Sequence, residues 1–542
     1  GRIVDARMVA IDRDGHAVML DDDTVLPYDR LVLATGLTEA SRQYVDEMEQ
    51  RQQQGPDEMS VTALDHPAIH FIDGTLAKER LETSVDTVIK EDKTLKVCVY
   101  GRSLDAYSTV QGLLGRGIEG NRIVRVVPPN ISSDRVEVDD TDSKENDKLK
   151  SKDSDLFGND NYVTTTIEKR LEDSGVVRVD GTLERLTYSE EDGRLMGGAF
   201  IGTSASAEGE QAASEIPMEN VAFDVLIFCH TKDVDADIFL AANESGLVYD
   251  GRLVVDGRFQ TADSSIFAGG TLTKFSRRYG RTRPRHEQFN SQEVGAAVSQ
   301  AILEDVDPLS VPVARDPETG NPTCPDFFKP RGTTAMLPGG LFFTHVECCP
   351  SPGRRGDEKA FVSSRELVTN PQDPLSKVSG GRGVGMRYCR LVLDEHRRVA
   401  SITYLGNESV EDLNFGAIVG MQESYLNSLE HFFDKGTVTD LIKYLRGDWA
   451  VAVYHDRFRE LCMNLSVSSG STDEIQRILT TIRDAASNDE TSLNDIATLR
   501  AESIGVGGAK LQYETRRTIE LQMLDFLRAN SSLLPMFFLP EQ

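Results

Sequence analysis

The chain has 542 residues, 39% of them hydrophobic and 27% charged, with a formal net charge of −29. So acidic a balance disfavours nucleic acid as a general partner, because phosphate binding needs clustered Lys and Arg. No stretch reaches the ~20 uninterrupted apolar residues that span a bilayer, and the length allows roughly three or four domains. Short apolar runs open the chain: IVDARMVAID and HAVML read as strands, DDDT as a turn, and YDRLVLATG (28–36) as a strand ending in a tight glycine turn. Residues 38–54 are polar and helix-prone and read as an exposed insertion; IHFIDG (69–74) is the next strand, followed by a helix around 77–88.

A second unit begins at LKVCVYG (95–101). Strand, glycine turn, helix (LDAYSTVQGLLGRG) and strand (RIVRVVPP) follow in a βαβ order. Residues 130–160 are almost without apolar side chains and read as a disordered or peripheral insertion. The pattern resumes with a helix at 164–175, a strand at 176–181, a hairpin, and the buried strand DVLIFCH (224–230). Residues 246–310 return to short strands, among them LVVDGRFQ and SSIFAGG, then a basic loop and the helix NSQEVGAAVSQAILED.

A Pro- and Gly-bearing connector covers 308–332. An α+β unit follows, with strands GGLFFTHVE, RYCRLVLDE and VASITYL and helices near 421–434 and 437–445. The tail from about 466 reads as helical, Ser471 to Glu474 having capping-box spacing and 511–529 an amphipathic period. Seven cysteines, an odd count without Cys-x-x-Cys, suit a reducing compartment. The adjacent Cys348 and Cys349 read as two free, buried or half-buried thiols. No metal-ligand spacing is present.

Two segments carry the fold signal. YDRLVLATG matches the strand that leaves an FAD domain, with Gly36 allowing the sharp turn, and GRFQTADSSIFAGG (257–270) matches its closing strand. Flanking a βαβ unit in this order, they resemble the pyridine nucleotide–disulfide oxidoreductases from residue 1 to about 305. That resemblance implies an α/β fold of two dinucleotide-binding (FAD/NAD(P)-type, Rossmann-like) domains, followed by a smaller α+β domain and a helical tail. The domains are then 1–92 (FAD-type, first part, its start upstream of the chain), 93–245 (inserted NAD(P)-type), 246–310 (FAD-type, second part), 320–465 (α+β, dimerisation-type) and 466–542 (tail).

The chemistry of that family is eroded in this sequence. The FAD domain's own Gly-x-Gly-x-x-Gly is not in the chain. In the inserted domain Gly101 to Ala106 occupies the fingerprint position, but Ser103 replaces the glycine that lets a pyrophosphate approach the backbone. Val127-Pro128-Pro129 stands where a ribose-binding acid belongs. Arg125 is a candidate for a 2′-phosphate and equally a plain strand residue, and Asp105 would repel phosphate. Thr271 follows Gly270 where the family has an Asp that binds the ribityl chain, and it offers a weaker hydrogen bond. The vestigial cofactor positions are therefore Gly36, Gly101, Ser103, Ala106, Gly270 and Thr271. They favour no cofactor, leaving FAD open and NAD(P) disfavoured. No catalytic residue is assigned, and the His286-Glu287 pair in a basic loop reads as solvated.

The segment Lys274 to Arg285 is the one dense basic cluster of an acidic chain. It reads either as a solvated loop or as a docking site for an acidic protein surface. For docking, Lys274, Arg277, Arg278, Tyr279, Arg281, Arg283 and Arg285 are the candidates, with Phe275 and Tyr279 as apolar anchors. A cofactor phosphate is the third reading.

IFAGGTLTKFSRRYG, NSQEVGAAVSQAIL, AMLPGGLFFTHV and FLRANSSLLPMFFLP resemble the C-terminal half of the cilia- and flagella-associated protein 61 family. Membership would imply an oxidoreductase-like fold kept as a non-catalytic scaffold in the calmodulin- and spoke-associated complex at radial-spoke bases of the motile axoneme. Its partners would be radial-spoke proteins, other subunits of that complex and, through it, doublet microtubules, with neither nucleic acid nor membrane. The competing expectation is an FAD-dependent NAD(P)H oxidoreductase with atypical cofactor contacts.

Overall fold

The computed structural model describes residues 2–52, 63–64, 66–72, 81–86, 94–129, 156–202, 218–279, 286–307, 309, 313, 315, 320–349 apart from 326, 365–370, 386–394, 397–447 apart from 422 and 428, and 450. The chain divides into two compact units, Gly1–His345 with Cys349–Ala360, and Val346–Cys348 with Phe361–Gln542.

The first unit opens with an antiparallel meander of β1 (Met8–Asp12), β2 (Ala17–Leu20) and β3 (Val25–Pro27). Then come β4 (Leu31–Leu33), β5 (Thr38–Glu39) and helix α1 (Ser41–Gln52). Helix α1 is not the exposed insertion expected from its polarity. Val45 and Met48 are buried in one cluster with Leu183 and Leu186, and the Tyr44 hydroxyl donates to the Leu183 carbonyl. Two apolar side chains three apart suffice to dock a short helix, and they are too few to stand out as a period.

The region expected as the inserted domain (93–245) carries β7 (Val97–Tyr100), α2 (Leu104–Gly115), β8 (Ile123–Val127), α3 (Asn161–Asp173), β9 (Val177–Tyr188), β10 (Leu195–Gly202), β11 (Met218–Ala222) and β12 (Val225–Phe228), and β6 (Ile69–Phe71), expected in the first FAD-type part, pairs with β12 at the edge of the same sheet. They form one sheet in the order β11-β10-β9-β8-β7-β12-β6. From β9 to β6 it is parallel, and β9, β10 and β11 close it as an antiparallel meander. VCVY, IVRVV and VLIF are wholly buried, as expected of parallel strands covered on both faces. Helix α2 buries Ala106, Tyr107, Val110 and Leu113, and α3 buries Val163, Ile167 and Leu171, both at helical spacing.

The insertion expected over 130–160 ends earlier than its composition indicates, because 156–160 belongs to the folded body. Phe157 is buried, with ring centroids 5.3 Å from Tyr107 and 5.5 Å from Phe343, and Asp160 caps α3 through the amides of Tyr162 and Val163. One phenylalanine among acidic residues is a faint signal.

The chain continues with β13 (Lys232–Asp233), α4 (Ala236–Glu244), β14 (Leu253–Val255), β15 (Ile266–Ala268), β16 (Thr273–Phe275) and α5 (Ser291–Val306), capped by Asn290. β15 pairs in parallel with β4, β14 with β16, and β13 antiparallel with β5. Thus the two halves expected to flank the inserted domain do rejoin in space. β17 (Arg331–Leu337) and β18 (Leu341–Glu347) follow. The connector expected at 308–332 gave no hint that RGTTAML would be a strand, its threonines hiding the alternation.

The second unit carries the antiparallel meander β19 (Arg365–Thr369), β20 (Arg387–Leu393) and β21 (Val399–Gly406). Short helices α6 (Phe415–Ile418), α7 (Leu429–Asp434) and α8 (Leu441–Leu445) follow, the last tied to β19 by the Leu441 amide donating to Thr369 Oγ1 at 3.1 Å. The tail expected to be helical from 466 lies outside the described residues.

Candidate functional site

In a doubly wound sheet a ligand sits beyond the carboxyl ends of the strands where the strand order reverses. Here that point falls between β7, whose helix leads on to β8, and β12 on its other side. Gly101, Arg102 and Ser103 leave β7, and Cys229 and His230 leave β12. Gly101 has φ +151°, and a Cβ there would lie 2.0 Å from the Cys229 carbonyl oxygen, so only glycine fits. Ser103 precedes the first turn of α2 without capping it; its hydroxyl instead donates to the Cys229 carbonyl at 2.6 Å. Ala106 is buried beneath that turn. Asp105 pairs with Lys232 at 2.8 Å, and an Arg102 nitrogen donates to the Pro128 carbonyl at 3.0 Å.

Two groups that sequence reasoning missed, the buried Glu39 and the half-buried His230, brace the other side. Glu39 accepts from the Ser41 hydroxyl at 2.8 Å and from the His230 amide at 3.0 Å, and burial raises its pKa. The His230 imidazole lies edge-on to Tyr100, and burial followed by the Arg102 charge pushes its pKa down to about 4. Burial pushes the Cys229 thiol up to about 12, which makes it inert at neutral pH.

Arg125 is not available to a 2′-phosphate. Its side chain is 3% exposed, lies 3.1 Å from Glu168, and stacks its guanidinium 4.0 Å over the Tyr107 ring. The Tyr107 hydroxyl donates to the same Glu168 at 2.7 Å. Glu168 thus holds both the guanidinium and the tyrosine hydroxyl, with Arg178 3.4 Å away on its other oxygen, while Arg125 Nε is buried without a hydrogen-bond partner among the described residues.

The second cluster forms where β4 and β15 end. The Gly269 amide donates to the Leu33 carbonyl at 3.1 Å, which brings Gly36 (φ +72°) and Gly270 (φ +80°) to one turn region. Thr271 Oγ1 lies 3.8 Å from where a Gly36 Cβ would stand, so the sequence-chosen Gly36, Gly270 and Thr271 do come together. Beside them Thr273 donates its hydroxyl proton to the Gly270 carbonyl at 2.8 Å and lies 2.5 Å from His286 Nδ1. His286 is 2% exposed and packs against Phe259, Phe275 and Phe289. The expectation of a solvated His286 is thereby corrected: the rings of Phe259, Phe275 and Phe289 enclose it, and burial pushes its pKa down to about 4.

The basic cluster is more neutralised than its sequence suggests. Lys274 lies 2.6 Å and Arg277 3.0 Å from a shared Asp250, and Arg278 lies 3.5 Å from Asp256. Arg277 and Arg278 keep 73% and 51% of their side-chain surface exposed. Phe275 is not an apolar anchor, being buried in the core, and Tyr279 packs against that core with its hydroxyl taking the Gly257 amide at 2.9 Å. Arg281, Arg283 and Arg285 lie outside the described residues. Cys348 is half-buried and Cys349 buried, both free thiols as expected, and burial raises the Cys348 pKa to about 12. Among the described residues no three His, Cys, Asp or Glu side chains gather as a metal site, and no helix is long and apolar enough to cross a membrane.

Residues 325–453 match the family model described as the CFAP61 dimerisation domain. The chain is similar to cilia- and flagella-associated protein 61 of the ciliate Tetrahymena thermophila, at 24% identity over 623 residues, covering 99% of this chain and 36% of that protein. It therefore spans about a third of the length of that curated relative. Similar solved structures include the covalent putidaredoxin reductase–putidaredoxin complex (14% identity, TM-score 0.45, covering 77% of this chain and 75% of that one). The ferredoxin reductase for the CYP199A2 system of Rhodopseudomonas palustris gives 14% identity and a TM-score of 0.44, covering 80% and 82%. An FAD-dependent pyridine nucleotide-disulphide oxidoreductase of Desulfovibrio vulgaris gives 15% and 0.41, covering 79% and 83%.

Proposed function

We propose that this chain is a non-catalytic scaffold of a cilia- and flagella-associated protein, an adaptor at the radial-spoke base of the motile axoneme. The observation that carries the reading is similarity to the ciliate protein along 99% of the chain, through both the oxidoreductase-like part and the dimerisation-type part. The residues at the cofactor positions agree with a structural role. Ser103 replaces a glycine, Val127-Pro128 brings no carboxylate to the ribose position, and Thr271 offers one neutral hydroxyl where a charge is needed.

In this reading the partners are radial-spoke proteins, other subunits of the calmodulin- and spoke-associated complex, and doublet microtubules through that complex. Within the described part of the basic cluster, Arg277 and Arg278 are better placed than Lys274 to meet an acidic protein surface, because both remain open to solvent despite their aspartate partners. The test is a tagged copy in a motile ciliated cell, with electron cryotomography of axonemes lacking the protein. Axonemal signal and loss of radial-spoke density support the reading. A non-ciliary protein that purifies with stoichiometric flavin and oxidises a nicotinamide would sink it.

A further inference from the structure

We propose that the switch-point crevice between β7 and β12 is a closed seam, stitched by the chain's own groups with Ser103 as its closing residue, so that no nicotinamide dinucleotide enters there. The inference stands on loop geometry and does not depend on the ciliary reading.

In a dinucleotide-binding sheet the loop leaving the first strand must offer bare backbone to the pyrophosphate, with the amides of the following helix open to it. Here the two loops on either side of that place are bonded to each other. Gly101 rests on the Cys229 carbonyl so closely that no Cβ could be inserted, and the Ser103 hydroxyl donates to that same oxygen at 2.6 Å. Further into each loop, Asp105 and Lys232 are joined at 2.8 Å. Asp105 sits in the first turn of α2, where its carboxylate already supplies the negative charge favoured by a helix N-terminus and would repel a second anion.

The segment 229–233 is held from its other side as well. Glu39 accepts the His230 amide at 3.0 Å, the Ala40 amide donates to the Thr231 carbonyl at 2.8 Å, and β13 pairs with β5. It therefore cannot withdraw from Ser103 without breaking those bonds too. Lys232 and Asp105 are both nearly half exposed, so their pair contributes little. Ser103 and the backbone contacts carry the closure. Arg102, the remaining cation of the loop, is turned to the Pro128 carbonyl at 3.0 Å.

Hydrogen exchange on the intact protein, read in peptides covering 101–106 and 229–233, tests the seam alongside titration with NADH and NADPH. Both peptides should be protected in the wild type, exchange several-fold faster in Ser103→Ala, and recover in Ser103→Thr, which keeps the hydroxyl. Neither dinucleotide should change the exchange or the melting temperature at millimolar concentration. Saturable NADH or NADPH binding that protects 101–106, or Ser103→Ala exchange equal to wild type, would overturn the proposal.

Discussion

His286 donates its Nδ1 proton to Thr273. The Thr273 hydroxyl has already given its own proton to the Gly270 carbonyl, which can only accept, so toward the imidazole 2.5 Å away it must act as acceptor. That fixes the neutral tautomer with hydrogen on Nδ1 and leaves Nε2 buried and, among the described residues, without a hydrogen-bond partner, so a charge on the ring is poorly solvated.

Protonating His286 should therefore destabilise the fold. Its folded pKa of about 4 lies below the ordinary histidine value of 6.5, so between these values the unfolded chain binds more protons. The stabilisation is complete above pH 6.5 and is lost as pH falls toward 4. At about 1.4 kcal/mol per pKa unit, on the order of 3 kcal/mol is at stake. His286→Gln keeps a donor for Thr273 and does not titrate. Denaturant unfolding at steps from pH 7 to 4 should show the wild type losing stability relative to this variant; parallel curves would contradict the assignment.

Arg125 and Glu168 should respond asymmetrically to mutation. Replacing Glu168 by Leu leaves a guanidinium that is 3% exposed without its carboxylate, at a cost of about 3 kcal/mol. Arg125→Met keeps the volume over the Tyr107 ring and leaves Glu168, which is 28% exposed, with the Tyr107 hydroxyl and with Arg178 at 3.4 Å, so it should cost distinctly less. Equilibrium unfolding of both variants gives the comparison. Equal losses would mean that Arg125 acts mainly through packing.

Much of this architecture was legible in the sequence, and the legible parts share a cause. VCVY and VLIF are continuous apolar runs beside a glycine turn, a pattern with few other solutions in an α/β chain. Gly36, Gly270 and Thr271 could be joined in advance because a β-α-β unit between two flavin-type strands implies that those strands rejoin. What sequence could not show was pairing across distance. His286 looked solvated because a basic loop precedes it in the chain, whereas in space it packs against Phe259 and Phe275 as well as the nearby Phe289. Asp250 neutralising Lys274 and Arg277, and Glu39 holding the His230 amide, are long-range contacts with no local pattern. Phe275 showed the same blindness from the other side, an aromatic beside arginines read as an anchor although its β16 backbone turns it inward.

Phe157 should behave as a core residue despite following a long acidic stretch. Its ring sits between Tyr107 and Phe343, so Phe157→Ala should cost about 3 kcal/mol by leaving a cavity there. Gly158 has φ +65°, and a Cβ on it would fall 2.3 Å from the His345 ring, so Gly158→Ala combines backbone strain with a clash. Thermal melts of both variants should fall below wild type. A Phe157→Ala melt equal to wild type would show that the ring adds nothing to the body of the unit.

Reversing Arg277 and Arg278 separates docking from folding. Both lie on the surface, and exposed ion pairs with Asp250 and Asp256 contribute little to stability. Arg277→Glu with Arg278→Glu should therefore leave the fold intact by circular dichroism and melting, while, under the proposed function, lowering co-purification with axonemal proteins in a salt-sensitive way. Asp250→Asn provides the opposite arm. It removes the carboxylate whose own pKa is lowered by the hydrogen bond from Lys274, releases both Lys274 and Arg277, and should strengthen association with an acidic surface. If the double reversal incorporates into axonemes as well as wild type and Asp250→Asn changes nothing, these arginines are solvated side chains and docking lies elsewhere on the molecule.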